Sequence, residues 1–263
     1  MKKFALIAAV LTLGAAAVFA DAKGTEIMTK VHDVKKPSYT KSQALMQLVS
    51  KKGEIEENRG FIEYGKNEPK AYNGKDITSV VLDFKMPASY AGTRFLQIEG
   101  GPNEQKFIRL ATDPNPRRVN SSEDSKSFLS TDATYDDLEK REVEEDNQTY
   151  LRDEEKNGYK CSVVENVPVD PKSSQYSKRI VWVDLNTYYP IYTELYDKKG
   201  ELCKVLTMDK IINVKGYNIP TVNEYKNVQT GHSTKMIIQK VLVDEDAAVN
   251  DNVFTQNFLK NAK

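Results

Sequence analysis

The chain has 263 residues, 38 Lys+Arg against 38 Asp+Glu and a formal charge of +0. That balance supplies no basic field for nucleic acid or acidic lipid. Two histidines and two cysteines, with no HExxH, Cys-x-x-Cys, Gly-x-Ser-x-Gly or Gly-x-Gly-x-x-Gly, give no catalytic or metal constellation, so neither an enzyme nor a cofactor is expected.

Residues 1–20 read as a secretory signal. Lys2 and Lys3 form a basic start, Phe4 to Phe19 is apolar apart from Thr12 and Gly14, and Val18-Phe19-Ala20 fits a small-residue cleavage site. The run is short for a membrane-spanning helix. No Cys follows the site, so no lipobox anchor is expected. The exported chain, residues 21–263, is read as one soluble domain. Without Lys2 and Lys3 it carries 36 basic groups against 38 acidic ones.

Thr25 to Val34 places Ile27, Met28, Val31 and Val34 at helical spacing, and Pro37 stops the helix. Strands follow. In Tyr39 to Lys52, Ala44, Met46 and Leu48 share one parity. In Glu54 to Lys66, Ile55, Arg59, Phe61 and Glu63 share another. Ile77 to Met86, Thr93 to Glu99 and Gln105 to Thr112 continue the pattern. Pro114 to Arg141 breaks it with two prolines, a polar run, the apolar pair Phe128-Leu129 and a short helical stretch at Tyr135 to Leu138. A long insertion in a meander is read as a lid, the plainer reading being a surface excursion.

Strands resume at Thr149 to Glu155 and Tyr159 to Val169. The most strand-like stretch is Lys178 to Met208, where Asp197 to Gly200 closes a hairpin. Pairing Asp197 with Glu201 sets Leu195 opposite Cys203 and Thr193 opposite Val205 on an inward face, with Glu194 opposite Lys204 on the other. Thr221 to Val228 and Ser233 to Val243 make a last hairpin. Asn250 to Leu259 reads as a helix capped by Asp251, with Phe254 and Phe258 on one side. His32 and His232 are read as surface residues. Cys161 and Cys203 invite a disulfide in an exported protein. A meander would hold their strands about 14 Å apart, so free thiols are expected.

Several motifs carry a family resemblance across the exported chain. They are Tyr159-Lys160-Cys161, Tyr176-Ser177-Lys178-Arg179, Tyr188-Tyr189-Pro190, the Tyr196 to Leu202 hairpin, Ser127 to Leu138 and Phe254-Thr255-Gln256. In order and spacing they resemble the outer-membrane lipoprotein-sorting, LolA-like group. Ser130 stands where that group usually has Gly, and Ala133 where it has an aromatic. The resemblance implies a mainly β fold: an incompletely closed antiparallel β-barrel, of about eleven strands here, with N- and C-terminal helices and a lid-like insertion.

It further implies a monomeric periplasmic carrier of lipid or lipoprotein acyl chains, with an inner-membrane transporter complex as donor by family analogy. The other reading is a non-carrier envelope module with a filled core. On the inward parity the ligand-facing candidates are Met46, Leu48, Phe95, Leu195 and Val205; on the lid they are Phe128, Leu129 and Tyr135. An apolar cavity suffices for such cargo, since each buried CH₂ gains roughly 0.8 kcal/mol. The exported form is expected to begin at Asp21. N-terminal sequencing of the periplasmic fraction checks this, and Met1 at the end of the exported chain would overturn it.

Overall fold

The computed structural model describes residues 21–262, and the expected signal segment lies outside them. Helix α1 (Ala22–His32) opens the described chain, capped by the Asp21 side chain, which accepts from Gly24 N at 2.6 Å. Strands β1 (Tyr39–Val49), β2 (Ile55–Tyr72), β3 (Lys75–Met86), β4 (Arg94–Glu99), β5 (Gln105–Leu110) and β6 (Asp113–Arg118) follow as a meander. Residues 119–145 form no strand long enough to join the sheet and contain four 3₁₀ turns. A second meander comprises β7 (Asp146–Lys156), β8 (Tyr159–Pro168), β9 (Lys178–Asp184), β10 (Pro190–Tyr196), β11 (Leu202–Val214), β12 (Tyr217–Asn227) and β13 (Ser233–Val243). Helix α2 (Gln256–Lys260) ends the chain's regular structure.

The two meanders join through an antiparallel pairing of β1 with β13. All thirteen strands therefore lie in one antiparallel sheet, with β6 and β7 as its two edges. The sheet does not close. This is the incompletely closed barrel expected from the sequence, with thirteen strands rather than about eleven. The clearest addition is β6. Pro114 and Pro116 argued against a strand there, but proline is tolerated where one side of a strand needs no partner, and β6 is an edge.

Each face of the sheet has its own cover. On the concave face, Ala44, Met46, Leu48, Phe61, Leu82, Phe84, Phe95 and Ile108 pack with Phe128 and Tyr135 of the insertion. Further along the same face, Ile27 of α1 packs on Val164, Val181 and Val183. On the convex face, Phe254 and Leu259 pack on Val81 and Leu96. The C-terminal segment is a 3₁₀ turn followed by α2, capped by Asn250 and Thr255. Asp251 is not the cap; its carboxylate accepts from Tyr39 Oη at 2.8 Å and from Lys66 Nζ at 3.1 Å.

The β10–β11 hairpin corrects one expectation. Its turn closes as read, with Asp197 N donating to Glu201 O at 2.9 Å. Beyond the turn, Tyr196 pairs with Leu202 but Leu195 pairs with Lys204, so Cys203 is an extra residue in a bulge. One extra residue exchanges the faces of everything after it. Lys204 therefore joins Leu195 on the concave face, and Val205, opposite Glu194, lies on the convex face. Val205 is not part of the interior that Leu195 faces.

Cys161 on β8 and Cys203 on β11 lie three strands apart, and both thiols are free. Burial, then the Asp184 carboxylate, pushes the Cys161 thiol up to about 11. Both cysteines are expected to label in denatured, unreduced protein. In folded protein at pH 8, Cys161 should label about a hundredfold more slowly than a free thiol, because thiolate is the reacting form. Mass spectrometry after timed alkylation checks both statements, and a missing label on denatured protein would contradict the strand order.

Candidate functional site: a lidded concave face

The insertion leaves one edge of the sheet at β6, crosses the concave face and returns to the other edge at β7. Its tip is a small closed loop. Phe128 N donates to Ala133 O at 2.8 Å, and Ser127 bridges Thr134. The loop drives Phe128 into the interior, where it is 1% exposed. Phe128 meets Phe95 edge-on at 5.1 Å between centroids, and Tyr135 meets Phe128 at 5.6 Å and Phe95 at 5.9 Å. The two edge-to-face pairs, Phe128 with Phe95 and with Tyr135, contribute about 0.5–1.5 kcal/mol each beyond the area they bury. Leu129, half-buried, packs against the same cluster.

Of the sequence-named residues, the structure therefore brings together Met46, Leu48, Phe95, Phe128, Leu129 and Tyr135. Leu195 is buried on the concave face but lies outside that cluster, and Val205 is on the convex face.

Polar groups tie the lid down, and sequence reasoning did not single them out. Arg59, beside Met46 on the concave face, is 1% exposed and donates to Leu129 O at 2.6 Å. Lys204 forms a buried ion pair with Asp137, whose other oxygen accepts from Tyr176 Oη at 2.7 Å. Asp132 accepts from Thr234 Oγ1 at 2.7 Å and bonds His232 Nδ1 at 2.7 Å. Gln97 Nε2 donates to Leu138 O at 3.0 Å. Lys106 holds Asp124 and Glu139. Nor are the histidines free surface groups. His232 binds the lid, and His32 on α1 bonds Glu142 at the lid's far root at 3.0 Å. Only Arg59 had a sequence signal, its shared parity with Phe61.

The lid tip is also strained. Leu129 and Ser130 have φ of 48° and 62°, the left-handed region that side-chain-bearing residues avoid at roughly 1–2 kcal/mol each. Ser130 is the position where the sequence departs from Gly. The Arg59 bond to the Leu129 carbonyl holds the strained peptide in place.

Beneath the lid remains a cavity of about 100 Å³, walled by Val80, Leu82, Phe95, Leu138 and Met236 together with Glu63, Thr78, Gln97 and Glu99. Burial, with nothing set against it, holds the Glu63 carboxyl above its ordinary range. Burial also pushes Glu99 up to about 7, against hydrogen bonds from Gln97, Lys140 N and Thr78 that favour the charged form. Among the described residues no group of His, Cys, Asp and Glu could hold a metal ion. No described helix is long and apolar enough to cross a membrane.

Fold and lid together place the chain among incompletely closed β-barrel proteins whose concave face is covered by an insertion. A family model whose description reads "-like: Uncharacterized protein" matches residues 76–261, and the chain belongs to that family. The chain is similar to a solved putative outer membrane lipoprotein-sorting protein domain from Vibrio parahaemolyticus, with 26% identity and a TM-score of 0.81 over 91% of this chain and 99% of that one. A DUF1329 family protein from Desulfovibrio piger shares the fold at 23% identity and a TM-score of 0.81, over 90% of this chain and 98% of that one. A LolA superfamily protein from Nitrosomonas europaea shares it at 16% identity and a TM-score of 0.65, over 89% and 98%. No curated protein sequence matches.

The raised Glu99 carboxyl sets a pH dependence. The folded chain holds this proton more tightly than the unfolded chain does. Its contribution to stability is therefore full below about 4.5 and is lost as pH rises through about 7. Glu99→Gln should remove that loss, which is up to about 3 kcal/mol. Urea melts of both proteins from pH 4.5 to 8 check it; parallel declines would assign the loss to other groups.

Proposed function

We propose that the chain is a periplasmic carrier of lipid or lipoprotein acyl chains, which it holds on the concave face after the lid has moved aside. The observation that carries this reading is the lid. An apolar barrel interior is covered by a segment from outside the sheet, fixed by a strained tip and a set of separate polar contacts. A core built only for stability needs no such cover. The names of the similar solved proteins, with their lipoprotein-sorting and LolA assignments, support the same reading, as does the signal-like residues 1–20.

Sizes decide how cargo must enter. The cavity of about 100 Å³ falls well below the roughly 300–1,000 Å³ of ligand pockets. We read this arrangement as the closed state, in which room for a chain is made when Phe128 and Tyr135 leave. Exposing those two side chains costs roughly 1.5–3 kcal/mol each, and a dozen buried CH₂ groups return roughly 10 kcal/mol. Strain released at Leu129 and Ser130 favours opening. Lys204 and Asp137 regain water when they separate, which spares the cost of a stranded buried charge. Cargo can therefore displace the lid without help from a charged anchor. Delivery by an inner-membrane transporter complex and function as a monomer belong to the same proposal.

The small cavity also suits the second reading, a non-carrier module with a filled core. One experiment separates the two. Phe128→Asp with Leu129→Asp should leave the sheet folded by circular dichroism, open residues 121–141 to protease and change lipid retention in a release assay. Wild-type protein should carry lipid when taken from expressing cells into native mass spectrometry. Bare polypeptide from several preparations, together with an unchanged double variant, would leave the filled-core reading standing.

A further inference from the structure

The lid leaves part of the concave face open. Beside its return limb, a groove of about 580 Å³ runs along the ends of β3, β4 and β5. Thr78, Gln97 and Glu99 line both this groove and the apolar cavity under the lid. A polar outer chamber thus adjoins an apolar inner one, with the Gln97 and Glu99 side chains at the junction.

By formal charge the groove is acidic, and most of its carboxylates already accept a hydrogen bond or an ion pair. Asp124 and Glu139 hold Lys106. Glu142 bonds His32, and Glu145 accepts from Glu142 N at 2.7 Å. Glu104 accepts from Gly100 N, and Asp76 from Lys70 N, both at 3.0 Å. One cation is less well served. Lys140 Nζ is buried and has no hydrogen-bond partner among the described residues. Its nearest carboxylate oxygen, on Asp76, is 3.8 Å away, beyond hydrogen-bond reach. A buried ammonium without an acceptor is costly, so the unmet demand at this site is for an anion.

We propose that the groove binds the phosphate head group of a phospholipid, with Lys140 taking the phosphate and an acyl chain passing Gln97 and Glu99 toward the space the lid vacates. This rests on the carrier reading and adds a head-group preference to it. Apolar cargo alone needs only the inner chamber. The orphaned ammonium at the outer chamber gives a reason to select lipids carrying an anion one chamber away from the tail.

The test compares phosphatidic acid, diacylglycerol with the same acyl chains and inorganic phosphate, each offered to delipidated wild-type protein and read by native mass spectrometry and lipid transfer between vesicles. Phosphatidic acid should be retained about tenfold or more over diacylglycerol, as expected for a charge-assisted bond to a buried group. Lys140→Gln should abolish that preference and leave diacylglycerol uptake unchanged, while Lys140→Arg keeps the preference. Equal retention of the two lipids by wild type, or a preference that survives Lys140→Gln, overturns the head-group site and leaves the carrier reading intact. Inorganic phosphate bound as tightly as phosphatidic acid overturns the lipid assignment in favour of a free-anion site. Uptake of neither lipid overturns the carrier reading and this proposal with it.

Discussion

One constraint shapes the molecule: a thirteen-stranded antiparallel sheet that never pairs its last edge with its first. An open curved sheet exposes a concave apolar face and two rows of unpaired backbone groups. This chain answers both through connectivity. Residues 119–145 join β6 to β7, so the segment that links the two edges in sequence also spans the gap between them in space. Its aromatic middle then lands on the concave face. The edges are blunted locally. β6 carries two prolines followed by two arginines. At β7, Asp21 N donates to Gln148 O at 2.7 Å, and the Asp21 carboxylate accepts from Tyr150 N at 2.6 Å.

The same arrangement explains why the lid is attached by several independent contacts. Arg59, Lys204, Thr234 and Gln97 come from β2, β11, β13 and β4, and each holds a different point of the insertion. Together with Phe128 and Tyr135 they fix one closed geometry. Separately each is worth only about 0.5–3 kcal/mol, because a partner that leaves the interior is rehydrated. A cover of this kind is specific when shut and removable in parts. A continuous aromatic core would be equally apolar but would have no line along which to part.

Period-two alternation marked most of the strands in the sequence, and it placed Met46, Leu48 and Phe95 on the lidded face because their strands run without interruption. It failed where one residue changed the count. The bulge at Cys203 has no signature in Glu201-Leu202-Cys203-Lys204, and it moved Val205 outward and Lys204 inward. The edge strand β6 was hidden because its prolines carry the usual signal of a break. Contacts between distant residues were not legible at all. Lys204 and Asp137 are 67 positions apart, and neither sits in a local pattern that names the other. The Phe128-Leu129 pair was legible for the opposite reason: two large apolar residues in a polar run must bury themselves somewhere.

The interior acids are the features that packing alone explains least. Glu63 pairs across the sheet with Ser42 and Leu82, amid aromatic and aliphatic neighbours, and Glu99 stands where the inner cavity meets the outer groove. A leucine at position 63 would fill part of the void and remove a desolvated carboxyl. Glu63 therefore lowers the stability of the closed state, as the left-handed Ser130 and the unmatched Lys140 ammonium also do. All three lie on or beside the lid. On the carrier reading, costs placed there narrow the gap between the covered arrangement and one with the lid displaced.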